Sequence, residues 1–485
     1  MFSVKTQIQF ADPTSLAKVF ILSLYVDISS LAFQGDFGNL VSRSATSKSG
    51  ANSVWQSITR WLPSQNEDCT FWWQTTGPHL GTLLSQAGYS IHQQYETLLF
   101  HYYLVVPRLG PRPTPLPSAL PLWKSFMTDD FSPIEYSWKW DTGRELPTDR
   151  NSGPDIRYGI EAIGPYAGTP LDPLNQAFTK EILSQLDLAI PTIDLTWFHH
   201  LSETIFPAQE LSITNKDSAK INGAGLGSSS MFLAFEFLKS ELAAKAYFIP
   251  PGDRNEVQNR LLAAIRSLER LDAERAVGTQ WAALDQTLSF MCSNDDGRSL
   301  SMFMIGIDCV EPSKSRLKIY VRTPKTSFDS VVNILTMCGK RAGFEKDLRD
   351  LKELWYMTLG LPIDFLTSEE LPLREHATSG VCYYFDIQQA TALPDIKMYI
   401  PVRHYGRSDM ETARGLVEFL HLHGRERYSS GYLRALKELA PIDRLENSCG
   451  VQTYISCAFQ KEGLSMTSYL SPNIYHGARK VDLLL

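Results

Sequence analysis

The stretch SMFMIGIDCVEPSKSRLKIYV, residues 301–321, consists of two apolar, alternating runs joined through Glu311-Pro312-Ser313. Short runs rich in Ile, Val, Met and Tyr on either side of a polar, Pro-containing turn predict a β-hairpin, Ser301 to Val310 followed by Leu317 to Val321. Four other stretches repeat the pattern: Ile134 to Trp140 with Ile156 to Ile163, Met231 to Phe237 with Leu242 to Ile249, Val381 to Ile387 with Ile396 to Val402, and Gly450 to Phe459 with Leu464 to Leu470. Amphipathic helical stretches lie between them, around Leu174 to Leu188, Glu256 to Ala276, Phe328 to Leu359 and Met410 to Leu439. Ten antiparallel strands in one chain must close or bury their edges, and the helices need a sheet face to cover. The expected class is α+β: five hairpins closed into one ten-stranded antiparallel barrel with helices outside. Such a barrel is wider than the eight-stranded kind that side chains fill alone, so it has room for a ligand.

The rest of the chain agrees with a large soluble core. It has 485 residues, 53 Asp+Glu against 46 Lys+Arg, a formal net charge of -7 and 43% apolar residues, which excludes a disordered, collagenous or nucleic-acid-coating protein. Seven scattered cysteines without C-x-x-C spacing predict neither a disulfide framework nor a zinc site, and so a reducing cytoplasm. The apolar run Val19 to Val26 is too short to span a bilayer and lies between Lys18 and Asp27. Residues 1–50 read as a poorly patterned extension and 51–106 as a helical N-terminal section broken at Gly77-Pro78 and Gly88. A Pro-rich linker follows at 107–121, then the barrel core at 122–475 and a tail at 476–485. Small molecules are the expected partners, with no nucleic acid and no membrane; a homodimer is compatible with the sequence.

Residues i and i+2 of a strand share a face. The phrase Lys-x-Tyr recurs at corresponding places as Lys245-Ala-Tyr247, Lys318-Ile-Tyr320 and Lys397-Met-Tyr399, with Arg316 on the face of Lys318. Arg157 stands at the comparable point of hairpin one, and hairpin five offers Gln452-Thr-Tyr454, which makes Gln452 a candidate polar lumen residue. The interposed Ala246, Ile319 and Met398 suit a helix-covered outer face, so the polar set points inward. Burying four or five uncompensated cations would cost several kcal/mol each, which calls for an anionic ligand, and a diphosphate suits forked Arg and point-charge Lys. Tyrosine rings stabilise a carbocation by about 0.5–2 kcal/mol each without trapping it. A diphosphate leaving group beside an allylic cation is prenyl transfer.

The run Phe71-Trp-Trp-Gln-Thr-Thr-Gly-Pro, then Ala87-Gly88-Tyr89, Val105-Val106-Pro107-Arg108-Leu109-Gly110, Ser132-Pro-Ile-Glu135-Tyr-Ser137 and the three Lys-x-Tyr phrases resemble, in order, the fungal dimethylallyl tryptophan synthase family of aromatic prenyltransferases over about residues 52–475. The resemblance implies the αββα (ABBA) prenyltransferase barrel, reached independently above. It implies that Arg157, Lys245, Arg316, Lys318 and Lys397 hold the diphosphate of dimethylallyl diphosphate, a co-substrate, with no cofactor and no metal. It gives Tyr247, Tyr320, Tyr399, Tyr454 and Tyr469 the role of a shield around the allylic cation. Glu135 would accept a hydrogen bond from the acceptor and raise its nucleophilicity. The implied acceptor is an indole in fungal alkaloid biosynthesis, with a phenolic polyketide or xanthone as the alternative and a non-catalytic barrel binding an anionic amphipathic ligand as the second.

Some family members carry a Lys near the start of the first strand of hairpin two, where this chain has Met231-Phe232, and Trp138-Lys139-Trp140 is bulkier than in plain tryptophan enzymes. Both put the acceptor in question. No Asp-Asp-x-x-Asp run exists for a magnesium cluster: Asp129-Asp130 and Asp295-Asp296 have the wrong continuation. Gly223-Ala-Gly-Leu-Gly-Ser-Ser-Ser230 resembles a kinase phosphate loop but leads into a strand, so an entry loop is expected. His199-His200 lacks zinc spacing, and His404 reads as a structural histidine near the barrel mouth.

Overall fold

A computed structural model describes residues 53–113, 123–140, 153–207, 229–237, 242–275, 281–461 and 463–476. The five hairpins form ten strands: β1 Ile134–Lys139, β2 Asp155–Ile160, β3 Met231–Phe237, β4 Leu242–Phe248, β5 Ser301–Asp308, β6 Leu317–Thr323, β7 Val381–Ile387, β8 Asp395–Ile400, β9 Gln452–Gln460 and β10 Gly463–Leu470. Each pairs with its neighbours in chain order, and β1 pairs with β10 to close the barrel. Every pairing is antiparallel. Closure removes both sheet edges.

The alternate residues that face outward are apolar and buried beneath the helices, Ala246, Ile319 and Met398 among them. Trp138 and Trp140 also face outward. Their rings stack edge-on or tilted at 5.7 Å from one another and at 5.7 and 4.9 Å from Tyr432, on the helix Ser429–Leu439. Their bulk therefore builds the outer core and does not shape the acceptor's space, because they share a face with Tyr136 while Glu135, Ser137 and Lys139 share the other.

Among the described residues three α-helices precede the barrel: α1 Ser53–Thr59, α2 Glu67–Gln86 and α3 Ile91–Phe100, the last continued by a π-helical turn at His101–Val105. Gly88, at φ +82°, ends the run after α2 as expected. Gly77-Pro78 does not: both lie inside α2. A Cβ on Gly77 would fall 2.3 Å from the Trp55 indole nitrogen, so the glycine admits α1 against α2, and the buried row Thr76, Gly77, His79, Leu80 and Leu83 offsets the hydrogen bond lost at Pro78. The predicted helical stretch Phe328 to Leu359 is two helices, Phe328–Leu335 and Glu345–Leu359, because Met337, Cys338, Gly339 and Gly343 take positive φ. Met410 to Leu439 likewise divides at Gly424, φ +66°, into Asp409–Leu422 and Ser429–Leu439. The kinase-like loop lies outside the described residues except for Ser229 and Ser230. Those two are buried: Ser229 Oγ donates to Glu161 and Ser230 Oγ to the Leu174 carbonyl. No helix among the described residues is long and apolar enough to cross a membrane.

The helices Asp409–Leu422 and Glu345–Leu359 meet at Gly415, where a Cβ would lie 2.1 Å from the Met357 carbonyl oxygen. Backbone cannot yield as a side-chain tip can. Gly415→Ala is expected to cost about 1–3 kcal/mol, read as a lower midpoint in urea melting followed by tryptophan fluorescence.

Candidate active site

The lumen encloses about 570 Å³, and the strand register stacks its side chains in three layers. The lowest layer is ionic. Around the barrel it runs Lys139, Arg157, Glu236, Lys245, Asp308, Lys318, Asp386 and Lys397, neighbours being set by the pairs Arg157↔Glu236, Lys245↔Asp308 and Lys318↔Asp386. Arg157 Nη1 lies 2.6 Å from Glu236, which also contacts Lys245; Lys318 Nζ lies 2.5 Å from Asp308. Arg316 reaches Asp308 at 2.7 Å and Asp386 at 3.2 Å. All five cations singled out in the sequence are here, interleaved with Glu236, Asp308 and Asp386 and flanked by Asp155, 3.3 Å from Lys139 and 3.6 Å from Arg157, carboxylates that the sequence reading missed. The cations are thus partly compensated by the protein itself.

That interleaving fixes the protonation states. Burial opposes the charge of Glu236, but Arg157 and Lys245 outweigh it and hold the carboxyl down at about 2. Lys318 and Arg316 likewise hold Asp308 far below the usual carboxylate range against its burial. Lys397 differs. It makes no ion pair among the described residues and sits 5.7 Å over the Tyr384 ring. Burial, then repulsion from Arg157 and Lys245, push its ammonium down to about 7; burial and Lys318 bring Lys245 down to about 8.

The middle layer is phenolic. Tyr320 lies 5.9 Å from Tyr247, 5.1 Å from Tyr384 and 6.3 Å from Tyr399, and Tyr399 lies 5.5 Å from Tyr469 and 5.8 Å from Tyr454. Burial raises Tyr247, Tyr320, Tyr384, Tyr399 and Tyr469, so these rings stay neutral. The five tyrosines from the sequence come together and Tyr384 joins them. Alternation along Cys382-x-Tyr384-x-Asp386 carried that signal. Gly306 makes the room, since a Cβ there would be 2.8 Å from the Tyr247 ring.

The upper layer holds Glu135, Phe232, Met304, Arg322, Cys382, Tyr454 and, just beyond β8, Arg403. Glu135 Oε1 accepts a 2.6 Å hydrogen bond from Thr453 Oγ1. Burial pushes its carboxyl up to about 7, against that bond and the Arg403 charge, which lower it. Thr453 stands where Gln452 was expected. The β9–β10 register slips between Tyr469 and Leu470, and the Asp409 carboxylate grips the N–H groups of Gly450, Val451 and Gln452 at 3.3, 3.0 and 2.7 Å. The bulge turns Gln452 out of the lumen, where it accepts from Tyr432 Oη at 2.7 Å and donates to the Asp409 carbonyl. Period-two counting breaks at that residue.

Asp129, His376 and His404 offer ligand atoms within 4.8 Å of one another at this mouth. Arg403 Nε lies 3.2 Å from both Asp129 Oδ2 and His404 Nε2, so a guanidinium already engages these atoms and would repel a dication. Burial and Arg403 push His404 down to about 3, leaving a neutral ring bonded to Thr378 Oγ1 at 2.8 Å, a structural histidine. His200 Nε2 bonds Ser267 Oγ at 3.0 Å, and all seven cysteines are free.

A family model described as tryptophan dimethylallyltransferase matches residues 68–435. The chain belongs to this family. It is therefore an aromatic prenyltransferase, and the non-catalytic reading is overturned. Prenyltransferase anuH of Penicillium roqueforti is 38% identical over 442 residues, covering 88% of this chain and 94% of that protein. Xanthone prenyltransferase B of Emericella nidulans is 34% identical over 462 residues, 91% of this chain and 96% of its own length. Among solved structures, AnaPT from Neosartorya fischeri superposes with a TM-score of 0.70 at 23% identity, covering 86% of this chain and 97% of AnaPT. NotF in complex with brevianamide F and DMSPP gives 0.69 at 21%, with 86% and 98% covered. These likenesses establish the ABBA prenyltransferase barrel.

In this prenyltransferase an anion placed in the ionic layer would raise the pKa of Lys397 and Lys245, and both would gain protons. At pH 8 dimethylallyl thiolodiphosphate, an ester fully ionised there and with no proton of its own to release, is expected to bind with uptake of roughly one proton or more, most of it lost in Lys397→Met. Titration calorimetry in two buffers of different ionisation enthalpy measures it, and binding without proton exchange would sink the assignment.

Proposed function

We propose that the enzyme transfers a dimethylallyl group from dimethylallyl diphosphate to a hydroxylated polycyclic aromatic acceptor. The observation that supports this reading most directly is the order of the layers: cations, then neutral tyrosines, then a carboxylate. Arg157, Lys245, Arg316, Lys318 and Lys397 hold the diphosphate and take up the charge of the departing group, the electrostatic term that dominates such catalysis, with no metal required. The C–O bond breaks with its electron pair leaving on the diphosphate. Tyr247, Tyr320, Tyr384, Tyr399, Tyr454 and Tyr469 face the allylic cation and exclude water. The ring's π pair forms the new C–C bond, and the ring proton passes to a diphosphate oxygen, restoring aromaticity.

Glu135 accepts a hydrogen bond from the acceptor's O–H and raises the ring's electron density. The phenolic reading is favoured by the xanthone prenyltransferase among the close relatives and by Phe232, an apolar ring, near the place where indole-modifying members carry a Lys. An indole is the second reading, since Glu135 accepts from N–H equally well. Free thiols throughout fit a cytoplasmic enzyme of fungal secondary metabolism.

Incubation with dimethylallyl diphosphate, EDTA and either hydroxyxanthones or tryptophan-containing cyclic dipeptides, followed by mass spectrometry, is expected to give a monoprenylated xanthone. Product from the dipeptide alone would reverse the choice of acceptor. Glu135→Gln should lower kcat/KM for the acceptor roughly 10²-fold. Glu135 acts as the carboxylate, so at saturating dimethylallyl diphosphate the wild-type value falls as pH drops below about 7, a dependence that Glu135→Gln should abolish.

A further inference from the structure

In the upper layer the hydroxyl of Tyr454, whose ring the proposed function turns toward the allylic cation, carries hydrogen bonds that neither the diphosphate nor the cation uses. Arg403 Nη2 donates to Tyr454 Oη at 3.0 Å and Arg322 Nη1 donates to the same oxygen at 3.4 Å. That oxygen thus accepts from two guanidiniums, while its own hydrogen has no acceptor among the described residues. Both arginines are anchored from behind. Arg322 Nη1 also donates to the carbonyls of Thr378 and Ser379, and its guanidinium lies 5.3 Å over the Phe303 ring. Arg403 Nε faces Asp129 Oδ2 at 3.2 Å. Arg403 Nη1 and Arg322 Nη2 have no acceptor among the described residues, and both side chains line the lumen with Glu135. A phenol whose oxygen accepts charged hydrogen bonds is a stronger donor through its own O–H, since chained bonds polarise one another.

We propose that Tyr454, flanked by Arg322 and Arg403, is a carbonyl-recognition site for the acceptor, and that the acceptor is an ortho- or peri-hydroxyaryl ketone whose hydroxyl faces Glu135. This rests on the phenolic reading above. The charge count favours a carbonyl over a carboxylate: the two guanidiniums already face two acids, Asp129 and Glu135. Donors on one side and an acceptor on the other match the adjacent C=O and O–H of such a ketone. They also fix which ring edge turns toward the cation. Tyr454 and the arginines act here as positioning and specificity residues.

The test is a matched pair of acceptors, 1,3-dihydroxyxanthone and 1,3-dihydroxyxanthene, the second with a methylene in place of the ring carbonyl. Wild-type enzyme is expected to favour the ketone in kcat/KM by roughly 10- to 100-fold, because loss of the carbonyl leaves buried donors unpaired. Arg403→Met should shrink that ratio at least tenfold, and Arg403→Lys, which keeps the charge without the fork, should shrink it less. Equal use of both acceptors by the wild type would overturn the inference and leave the phenolic reading standing. Equal losses on both acceptors in Arg403→Met would overturn it too, by marking the residue as merely structural. Prenylation of a tryptophan dipeptide and of neither phenol would overturn the phenolic reading and this inference together. Should Arg403→Met fail to fold, the wild-type ratio and Arg403→Lys decide.

Discussion

Charge removed from water must be matched, and the lowest layer of the lumen is arranged around that requirement. Effective penalties of several kcal/mol per buried ion would make six cations in one ring untenable alone. Glu236, Asp308 and Asp386 alternate with them, so that each carboxylate lies against one or two positive groups. Matching is incomplete: Glu236, Asp308, Asp386 and Asp155, which lies 3.3 Å from Lys139 and 3.6 Å from Arg157, stand against Lys139, Arg157, Lys245, Arg316, Lys318 and Lys397. The residue of positive charge falls on Lys397, which has no ion-pair partner among the described residues. On the proposed function, such a site would tolerate being empty by releasing a proton and would become fully charged when the diphosphate enters.

The same layer sets the direction of everything above it. On the proposed function, the anionic end of the substrate would lie low, its carbon chain would rise among the tyrosines, and the acceptor would take the upper layer with Glu135, Arg322 and Arg403. Orientation is thus a property of strand register. Moving any strand by one residue would exchange lumen and helix faces along its whole length.

Much of this was legible in the chain. Alternation and the Lys-x-Tyr repeat give ten strands, the inward face, and the five cations and five tyrosines that the structure brings together. Arg322 and Tyr384 obeyed the same rule, two residues beyond Tyr320 and Cys382, and could have been found by it. Asp386 obeyed it as well, two residues beyond Tyr384; the other acids were harder, since pairing Glu236 with Arg157 and Asp308 with Lys245 needs a register between strands that no single strand reveals. Gln452 and Thr453 exchanged places because Asp409, on a helix, pulls the start of β9 into a bulge. Arg403 stands just past a strand, where periodicity has ended. Gly77-Pro78 misled in the other direction, since tertiary burial and the Trp55 ring outweighed a local helix breaker.

The seam between β1 and β10 joins the first strand of the barrel to the last, with Ser137 opposite Tyr469. Lumen residues come from strands spread over more than three hundred positions, so the ring around the lumen is complete only when the last strand joins the first. During synthesis the outer edge of β1 stays unpaired until the final hairpin has left the ribosome, and the loop closed last is the longest in the barrel. High contact order of this kind slows folding and exposes β edges in the meantime. Demand on cellular chaperones and intolerance of C-terminal truncation are therefore built into the same closure that keeps water from the reaction.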